Sequence, residues 1–264
     1  MIEQVSIAKG RLCVSRIGIG TGSNNGHVFD SLGKDHFMRV LRHAFDRGVT
    51  FVDTAQIYST LGWVGEALHG YDRVRVQAKL SWIWREPVSV GVDNLRRTLG
   101  RDVLDSVLLH YMHLPKWVDV YRRQMDDLAG LRDKGIVRAI GVSCHNTEAM
   151  LALLPFTQWH DILLARANPY GIRMDAQAGE SDLRPRESIG AALLAMQRVK
   201  VVTRCSVINM KVLGDGQLTD PGMRRQSLRW VLNNAVFDSI IAGLKTEAEV
   251  DELINNYEEL THEQ

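Results

Sequence analysis

The sequence predicts an α/β fold in which eight parallel strands, each followed by a helix, close into a single barrel that occupies residues 1–264. Eight short apolar runs rich in β-branched residues predict the strands, and a helical pattern fills the intervals between them. The strand centres lie 24 residues apart at the closest, from Ile140 to Leu164, and 45 apart at the widest, from Leu164 to Asn209. Strands joined as hairpins would lie much closer together, so the spacing favours parallel strands with helical connections.

The candidate strands are nearly continuous apolar runs, which is typical of strands covered by helices. They fall at residues 16–20, 50–52, 74–78, 106–109, 138–142, 162–165, 207–210 and 239–242. An open, doubly wound sheet is the competing interpretation. Residues 18–22 read Gly-Ile-Gly-Thr-Gly and lack the third glycine of a dinucleotide-binding fingerprint at its required place. Because eight strand-helix units are the number that closes a TIM barrel, we expect the barrel.

The helical intervals have identifiable faces and ends. In the first interval the apolar residues recur with a helical period and predict a buried face formed by Phe37, Val40, Leu41, Ala44 and Phe45. Gly48 follows this face as a stop signal, and Gly100 and Gly135 end the next two long helical patterns in the same way.

Two segments stand outside the repeat. Residues 5–14 read as two short strands around Lys9 and Gly10, and we expect an N-terminal β-hairpin that closes the barrel floor. The widest interval contains the polar stretch 175–182. We expect this stretch to be either a lid over the site or a disordered loop.

Composition and charge narrow the class of partner. Of the 264 residues 45% are hydrophobic and 24% are charged, with a net charge of +1, so there is no basic field for nucleic acid or an anionic membrane surface. An uninterrupted apolar run of about 18 residues is absent, and we expect a cytoplasmic protein without a membrane span. Cys13, Cys144 and Cys205 are widely separated, which fits a reducing compartment and argues against zinc. A small molecule is the expected partner, and the sequence gives no oligomeric state.

Polar side chains follow three neighbouring candidate strands, where the chemistry of a barrel is located. Asp53 ends the second strand with Tyr58 five residues further on, Lys79 ends the third strand and His110 ends the fourth. Each residue has a structural alternative when it is considered alone, as a cap, a rim residue, a solvated charge or a half-buried histidine. Together they favour a site, because an acid and an amine buried near a barrel mouth are costly unless they pair.

The charges of these four side chains suit the reduction of a carbonyl group. We expect the Lys79 ammonium to lower the pKa of Tyr58 towards the operating range, and Asp53 to keep Lys79 charged and in place. His110 would orient and polarise a substrate carbonyl. The set contains no obvious activated nucleophile, and the hydride must come from a cofactor.

The order and spacing of these motifs resemble the aldo-keto reductase superfamily. The resemblance rests on residues 51–58 (Phe-Val-Asp-Thr-Ala-Gln-Ile-Tyr), residues 65–68 (Gly-Glu-Ala-Leu), Lys79, residues 108–110 (Leu-Leu-His) and residues 138–143 (Arg-Ala-Ile-Gly-Val-Ser). It extends from about residue 14 to residue 243. It implies a TIM barrel, NADPH-dependent reduction of a small carbonyl substrate, and a catalytic tetrad of Asp53, Tyr58, Lys79 and His110 with Tyr58 as the acid.

The loops after the seventh and eighth strands are candidates for the cofactor phosphates, because both combine glycines with a lysine. The alternative is that the glycines serve turns and the lysines are solvated. The resemblance places Lys245 at the adenosine 2′-phosphate, which favours NADPH (NADP+) over NADH. Thr246 and Glu249 have the spacing of a capping box. The full set of expected cofactor residues is Gly20, Thr21, Ser143, Asn168, Met210, Lys211, Gly214, Gly216, Gly243, Lys245, Thr246 and Glu249.

Several positions depart from the pattern that the resemblance implies. Cys144 replaces an asparagine after the fifth strand, and Leu164 replaces a glutamine on the sixth strand. Glu249 and Leu253 stand where glutamine and asparagine are common near the adenine. Met210 replaces a tyrosine at the nicotinamide, and we expect Met210 to pack on that ring instead.

Aromatic side chains after the strands are candidates for the substrate pocket, namely Trp82, Trp84, Tyr111 and Tyr170. Packing in the core or on the surface is the alternative for each of them. His113 follows His110 by three residues, but a third metal ligand is lacking, so we expect no metal.

Two other functions remain open at the sequence level. A lysine at a barrel strand end also suits a Schiff-base aldolase or lyase with Lys79 as the nucleophile. A non-catalytic, cofactor-sensing subunit is the other possibility, although it has less need for all four residues of the tetrad.

Overall fold

The computed structural model describes residues 1–22, 26–81, 86–174 and 189–263, and within these residues eight parallel strands form a closed barrel. Two of the expected pocket residues, Trp82 and Trp84, and the expected lid at 175–182 lie outside the described residues. The barrel strands follow the chain in order around the barrel, and the last strand pairs with the first. The predicted α/β barrel is therefore confirmed.

All eight predicted strands are present, with ends that differ from the expected ones by a few residues. They are β3 (Ile17–Gly20), β4 (Phe51–Asp53), β5 (Arg75–Leu80), β6 (Leu104–Met112), β7 (Val137–Cys144), β8 (Ile162–Arg166), β9 (Ser206–Met210) and β10 (Ser239–Ala242). The longest, β6, contains a register shift against β7 between Leu109 and Met112. Tyr111 lies inside this irregularity and has a φ of 65°, a left-handed conformation that non-glycine residues rarely adopt.

The helices cover the outside of the barrel. They are α1 (His27–Asp30), α2 (Lys34–Asp46), α3 (Leu61–Ala67), α4 (Val88–Leu99), α5 (Trp117–Val120), α6 (Arg122–Asp133), α7 (Thr147–Leu151), α8 (Ile189–Thr203), α9 (Pro221–Leu232) and α10 (Glu247–His262). The predicted apolar face of α2 is buried in full, and Gly48 follows with a φ of 96°. Gly100 caps α4 in the left-handed conformation.

The predicted N-terminal hairpin is also confirmed, and it closes one end of the barrel. Strands β1 (Gln4–Ile7) and β2 (Leu12–Ser15) pair in antiparallel fashion. Ile7 and Val14 are fully buried and belong to the same apolar cluster as the barrel interior. The turn is fixed to the barrel by a hydrogen bond from the Ala8 N–H to the Ser206 hydroxyl (2.9 Å) and one from Lys9 Nζ to the His160 carbonyl (2.9 Å).

The hairpin seals the amino ends of the strands, so the carboxyl ends form the open mouth. Polar side chains at those ends therefore converge on one region, as in other barrels of this type. A second, larger apolar core lies between the strands and the surrounding helices. In the part of the chain that the structure describes, none of the helices has both the length and the apolar character required to cross a membrane.

Candidate active site

A buried ion pair occupies the centre of the mouth. Asp53 ends β4 and Lys79 is the fifth residue of β5, and Lys79 Nζ lies 2.5 Å from Asp53 Oδ2. The other carboxylate oxygen, Oδ1, accepts a hydrogen bond from Gln77 Nε2 at 2.8 Å. Both oxygens of Asp53 are thus engaged, and Asp53, Gln77 and Lys79 are all buried. This arrangement fixes the ammonium in one position at the strand ends.

Tyr58 and His110 complete the cluster predicted from the sequence. Lys79 Nζ is 5.0 Å from the centroid of the Tyr58 ring. The Tyr58 and His110 rings meet edge to face with centroids 5.7 Å apart. The structure therefore brings together all four side chains that were separated by up to 57 residues along the chain, from Asp53 to His110.

The protonation equilibria of the cluster are dominated by burial. Burial raises the pKa of Tyr58 well above its usual value of 10.0, and the negative charge of Asp53 acts in the same direction. Burial lowers the pKa of Lys79, against the opposing effect of Asp53. Burial also lowers the pKa of His110 well below 6.5, and the charge of Lys79 adds to this effect. At neutral pH the phenol is therefore protonated and the imidazole is neutral.

This direction for Tyr58 is the reverse of the sequence-based expectation. We expected the Lys79 ammonium to lower the pKa of Tyr58, but the protein atoms around the phenol remove water, which is the larger effect. The negative charge of Asp53, which lies 2.5 Å from the ammonium, also raises the pKa of the phenol. The expectation that Lys79 lowers the pKa of Tyr58 is therefore wrong.

Gly22 determines where the Tyr58 phenol can lie. A Cβ atom at Gly22 would overlap the Tyr58 ring at Cζ, Cε2 and the hydroxyl oxygen. The loop after β3 therefore approaches the phenol closely because the residue there has no side chain. In the sequence Gly22 is visible only as part of a glycine-rich run, and this contact was not predicted. The run itself is a signal for close backbone approach.

Gln77 and Arg166 are two further residues that the sequence analysis missed. Gln77 lies two positions before Lys79 on β5, so both side chains point into the barrel, and this periodicity was visible in the sequence. Arg166 is buried at the end of β8. Its positive charge opposes the rise in the Tyr58 pKa and contributes to the low pKa of His110. Arg166 therefore adds a second cation to the electrostatics of the mouth.

Tyr111, an expected pocket residue, is the centre of a cluster beside the mouth. Its ring contacts the rings of His110, His113 and His145, with a centroid distance of 4.1 Å to His145. The guanidinium Cζ of Arg166 is 5.9 Å from the Tyr111 ring centroid. The left-handed backbone of Tyr111 thus directs a half-buried aromatic ring towards the site residue His110.

A groove runs from Asp53 and Tyr58 along the loops after β9 and β10. Two cavities make up the groove among the described residues, and they share Leu213, Gly216, Gly243 and Lys245 in their linings. The first cavity is lined by Asp53 and Tyr58 at one end and by Lys211 further along. The second, of about 250 Å³, continues past Lys245 to Arg224 on α9. The groove thus joins the tetrad to a set of cationic side chains.

The expected cofactor residues divide into those that line the groove and those that support it. Lining positions are occupied by Gly20, Met210, Lys211, Gly216, Gly243, Lys245 and Glu249. Gly214 is buried with a φ of 58° and shapes the loop. Ser143 is buried with its hydroxyl 3.2 Å from His145 Nε2. Lys211 Nζ forms an ion pair with Asp215, which also lines the groove.

Three expected ligand-binding residues have their polar groups engaged within the protein. The Thr21 hydroxyl donates to the Asp53 carbonyl at 3.0 Å, so it holds the ends of two strands together. The Asn168 amide donates to the Ile172 carbonyl at 2.7 Å and accepts the N–H groups of Tyr170 and Ile172. The Tyr170 hydroxyl bonds to Gln226 Oε1 at 2.7 Å. These contacts give the three residues structural roles in the described conformation.

The start of α10 differs in one detail from the expected capping box. Thr246 is the N-cap, and its hydroxyl accepts the Glu249 N–H at 3.1 Å as expected. Glu249 Oε2 accepts the N–H of Lys245 at 2.6 Å, whereas the motif requires the N–H of the N-cap residue. The carboxylate therefore lies at the positive end of a 16-residue helix, beside the second cavity.

Within the described residues, no group of three His, Cys, Asp or Glu side chains is arranged to hold a metal ion.

The closed parallel barrel and the four side chains Asp53, Tyr58, Lys79 and His110 at its mouth indicate one class of protein. A comparison with known protein families indicates the same class. The model of the Aldo/keto reductase family matches residues 16–170. The chain belongs to this family. The family match covers β3 to β8 and includes all four residues of the cluster.

Individual relatives are distant. The chain is 29% identical to the aldo-keto reductase YhdN of Bacillus subtilis over 165 residues, which cover 56% of the chain and 49% of YhdN. The match thus spans about half the length of that relative. An L-galactose dehydrogenase from Arabidopsis thaliana is 21% identical over an alignment of 303 positions, covering 98% of the chain and 89% of the relative.

Solved structures of the family share the fold. A holo-form aldo-keto reductase from Bacillus halodurans superimposes with a TM-score of 0.75 at 17% identity, covering 98% of this chain and 91% of that chain. An aldo/keto reductase from Klebsiella pneumoniae, solved in complex with NADP and acetate, gives a TM-score of 0.71 at 22% identity, with 97% and 90% covered. At 17% and 22% sequence identity, the similarity to these two structures shows a common fold and nothing more.

Proposed function

We propose that this protein is an NADPH-dependent reductase that converts an aldehyde or ketone to an alcohol, with Tyr58 as the general acid. The observation that carries the proposal is the joint position of Tyr58, Lys79 and His110 at the end of a groove that contains Lys211 and Lys245. Family membership supports the carbonyl substrate. The NADP complex of the Klebsiella pneumoniae relative supports the choice of cofactor.

The groove fits a nicotinamide dinucleotide. Gly216 and Gly243 expose backbone along it, and Lys211 and Lys245 supply positive charge for phosphate groups. Met210 lies at the end of β9 beside the tetrad, where it could pack on the nicotinamide. When bound, the reduced nicotinamide supplies the hydride that carbonyl reduction requires. Lys245 would hold the adenosine 2′-phosphate, which is the reason for preferring NADPH.

Tyr58 is suited to donate a proton because its elevated pKa keeps it protonated at neutral pH. The substrate oxygen acquires negative charge while the carbonyl carbon accepts hydride, and an alkoxide is a much stronger base than a phenolate. The proton therefore moves from the Tyr58 hydroxyl to that oxygen, and the alcohol forms with a phenolate left on Tyr58. Lys79, 5.0 Å from the ring, stabilises that phenolate.

Asp53 and His110 position the groups that take part in this proton transfer. Asp53 holds Lys79 in position and prevents its side chain from turning away from the phenol. His110 is neutral because burial lowers its pKa, so a ring N–H can donate to the carbonyl oxygen without transferring its proton. The site thus separates a positioning donor, His110, from the proton donor, Tyr58.

The proposal is tested with Tyr58→Phe and a panel of aldehydes and ketones, monitored by NADPH consumption. Loss of the general acid is expected to lower turnover by about 10²- to 10⁴-fold, while NADPH binding is retained. Binding measured by fluorescence titration provides the control for folding. Full turnover by the Tyr58→Phe variant would contradict the mechanism. NADPH binding by the native protein without turnover of any carbonyl compound would instead support a cofactor-sensing subunit.

The lowered pKa of Lys79 favours a second candidate, a Schiff-base aldolase or lyase, because a free amine is the nucleophile in that chemistry. Borohydride reduction in the presence of a carbonyl ligand would then attach the ligand covalently to Lys79. An absent adduct together with tight NADPH binding would eliminate this candidate.

A further inference from the structure

We infer that Arg224 provides a second positive charge for the adenosine 2′-phosphate, and that Glu252 competes with the phosphate for it. The inference rests on the proposed function, because it requires a nicotinamide dinucleotide in the groove. Arg224 and Glu252 were not among the residues expected from the sequence. They lie on α9 and α10, and both line the second cavity.

The position of Arg224 is held by three hydrogen bonds. Arg224 Nε and Nη2 donate to the two oxygens of Glu252 at 2.8 and 2.7 Å, and Nη1 donates to the Thr219 carbonyl at 2.5 Å. The Arg224 side chain is 21% exposed and that of Glu252 is 32% exposed, so the pair forms part of a cavity wall that water reaches. These hydrogen bonds thus fix the guanidinium at the wall of the cavity that Lys245 also lines.

The charges around this cavity are balanced. Its described lining contains two cations, Arg224 and Lys245, and two anions, Glu249 and Glu252. Glu249 accepts the backbone N–H of Lys245, and this N–H would otherwise be available to a phosphate. A phosphate dianion entering the cavity therefore gains full benefit from Arg224 only if the guanidinium releases Glu252.

The geometry allows that exchange. A guanidinium that binds a carboxylate through two parallel N–H groups presents the same pair of donors to two phosphate oxygens. The Thr219 carbonyl bond uses a different nitrogen, Nη1, so it can persist while the partner of Nε and Nη2 changes. A cofactor with a 2′-hydroxyl has no charge with which to compete, so NADH would leave the Arg224–Glu252 pair intact. Arg224 would then raise the affinity for NADPH relative to NADH, and Glu252 would lower it.

The experiment measures dissociation constants for NADPH and NADH by calorimetry, for the native protein and for Arg224→Met, Glu252→Gln and Arg225→Met. Arg225 is the matched control. It also joins α9 to α10, through Glu259, Glu263 and the cavity-lining Asn256, but Arg225 itself is not among the described residues that line the cavity. Thermal unfolding of each variant shows whether it remains folded.

Arg224→Met is expected to weaken NADPH binding tenfold or more and to change NADH binding less than twofold. Glu252→Gln is expected to strengthen NADPH binding severalfold, which a damaged structure would not do. Arg225→Met should leave the ratio of the NADPH and NADH affinities unchanged. Equal effects of Arg224→Met on both dinucleotides, or weaker NADPH binding by Glu252→Gln, would overturn the inference alone. Failure of the native protein to bind either dinucleotide would overturn the proposed function together with this inference.

Discussion

The ammonium of Lys79 and the carboxylate of Asp53 are 2.5 Å apart at the buried end of two adjacent barrel strands. Gln77 donates to the second carboxylate oxygen, so the negative charge has two donors. Ionised groups can be buried at this depth because each satisfies the other. The pair therefore holds the ammonium in place beside Tyr58, and removal of either partner would leave a buried charge unpaired.

Lys79→Met is expected to abolish carbonyl reduction and to lower the free energy of unfolding by about 3–5 kcal/mol, since it leaves the buried Asp53 carboxylate without its cation. The double variant Asp53→Asn with Lys79→Met removes both charges and should recover a large part of that stability without recovering activity. Urea denaturation and NADPH consumption measure the two effects.

The exposed ion pair of Lys34 and Glu66, with charged atoms 2.7 Å apart, is the control for these substitutions. Lys34→Met should change the free energy of unfolding by no more than about 1 kcal/mol. A double variant as unstable as Lys79→Met would show that burial of an unpaired charge is not the cause of the loss.

Gly22→Ala is expected to reduce turnover by at least tenfold, because the added methyl group would overlap the Tyr58 ring and displace the phenol. The backbone at Gly22 does not have a left-handed φ, so the effect should come from the displaced ring and not from backbone strain. Steady-state kinetics and the melting temperature together distinguish a misplaced acid from an unfolded protein.

The matched control is Gly62→Ala in α3, where an added Cβ would meet no neighbouring atom within 4 Å. That variant should keep full turnover and gain up to about 1 kcal/mol of stability from the better helix former. Unchanged kinetics in Gly22→Ala would show that the phenol does not need this close approach.

The stability of the protein should depend on pH through His160, which lies buried under the N-terminal hairpin. Burial lowers the pKa of His160 to about 3, and the charge of Lys9 acts in the same direction. Below pH 6.5 the unfolded chain binds a proton at His160 that the folded protein excludes until about pH 3. The free energy of unfolding should therefore fall between pH 6.5 and 3, by up to about 1.4 kcal/mol per pH unit for this group.

Denaturation curves at pH 5.5, 5.0 and 4.5 for the native protein and His160→Leu measure this dependence. In His160→Leu the free energy of unfolding is expected to change less steeply with pH, by the equivalent of about one bound proton. The exposed His69, replaced by Gln, serves as the control. Parallel slopes in the native protein and His160→Leu would mean that His160 is protonated in the folded state as readily as in the unfolded chain.

Much of the candidate site could be predicted because it follows from the barrel topology. Asp53, Lys79 and His110 each occupy a strand end, and parallel strands bring their carboxyl ends to one mouth. Gln77 was not predicted, although the alternation on β5 that places Lys79 also directs Gln77 into the barrel. By contrast, Arg224 and Glu252 are on helices and meet through packing of α9 against α10, which no local pattern in either helix specifies.

The sequence by itself determined the eight strands, the hairpin floor and the order of the tetrad, because apolar runs, glycine stops and turn residues act over a few neighbouring positions. The tertiary structure alone decided the acidity of Tyr58, its close approach to Gly22 and the balanced charges around Lys245. Desolvation depends on the atoms that surround a group, and hydrogen-bond partners such as Glu249 and the Lys245 N–H depend on the local geometry of a helix end. These quantities exist only once the chain has folded.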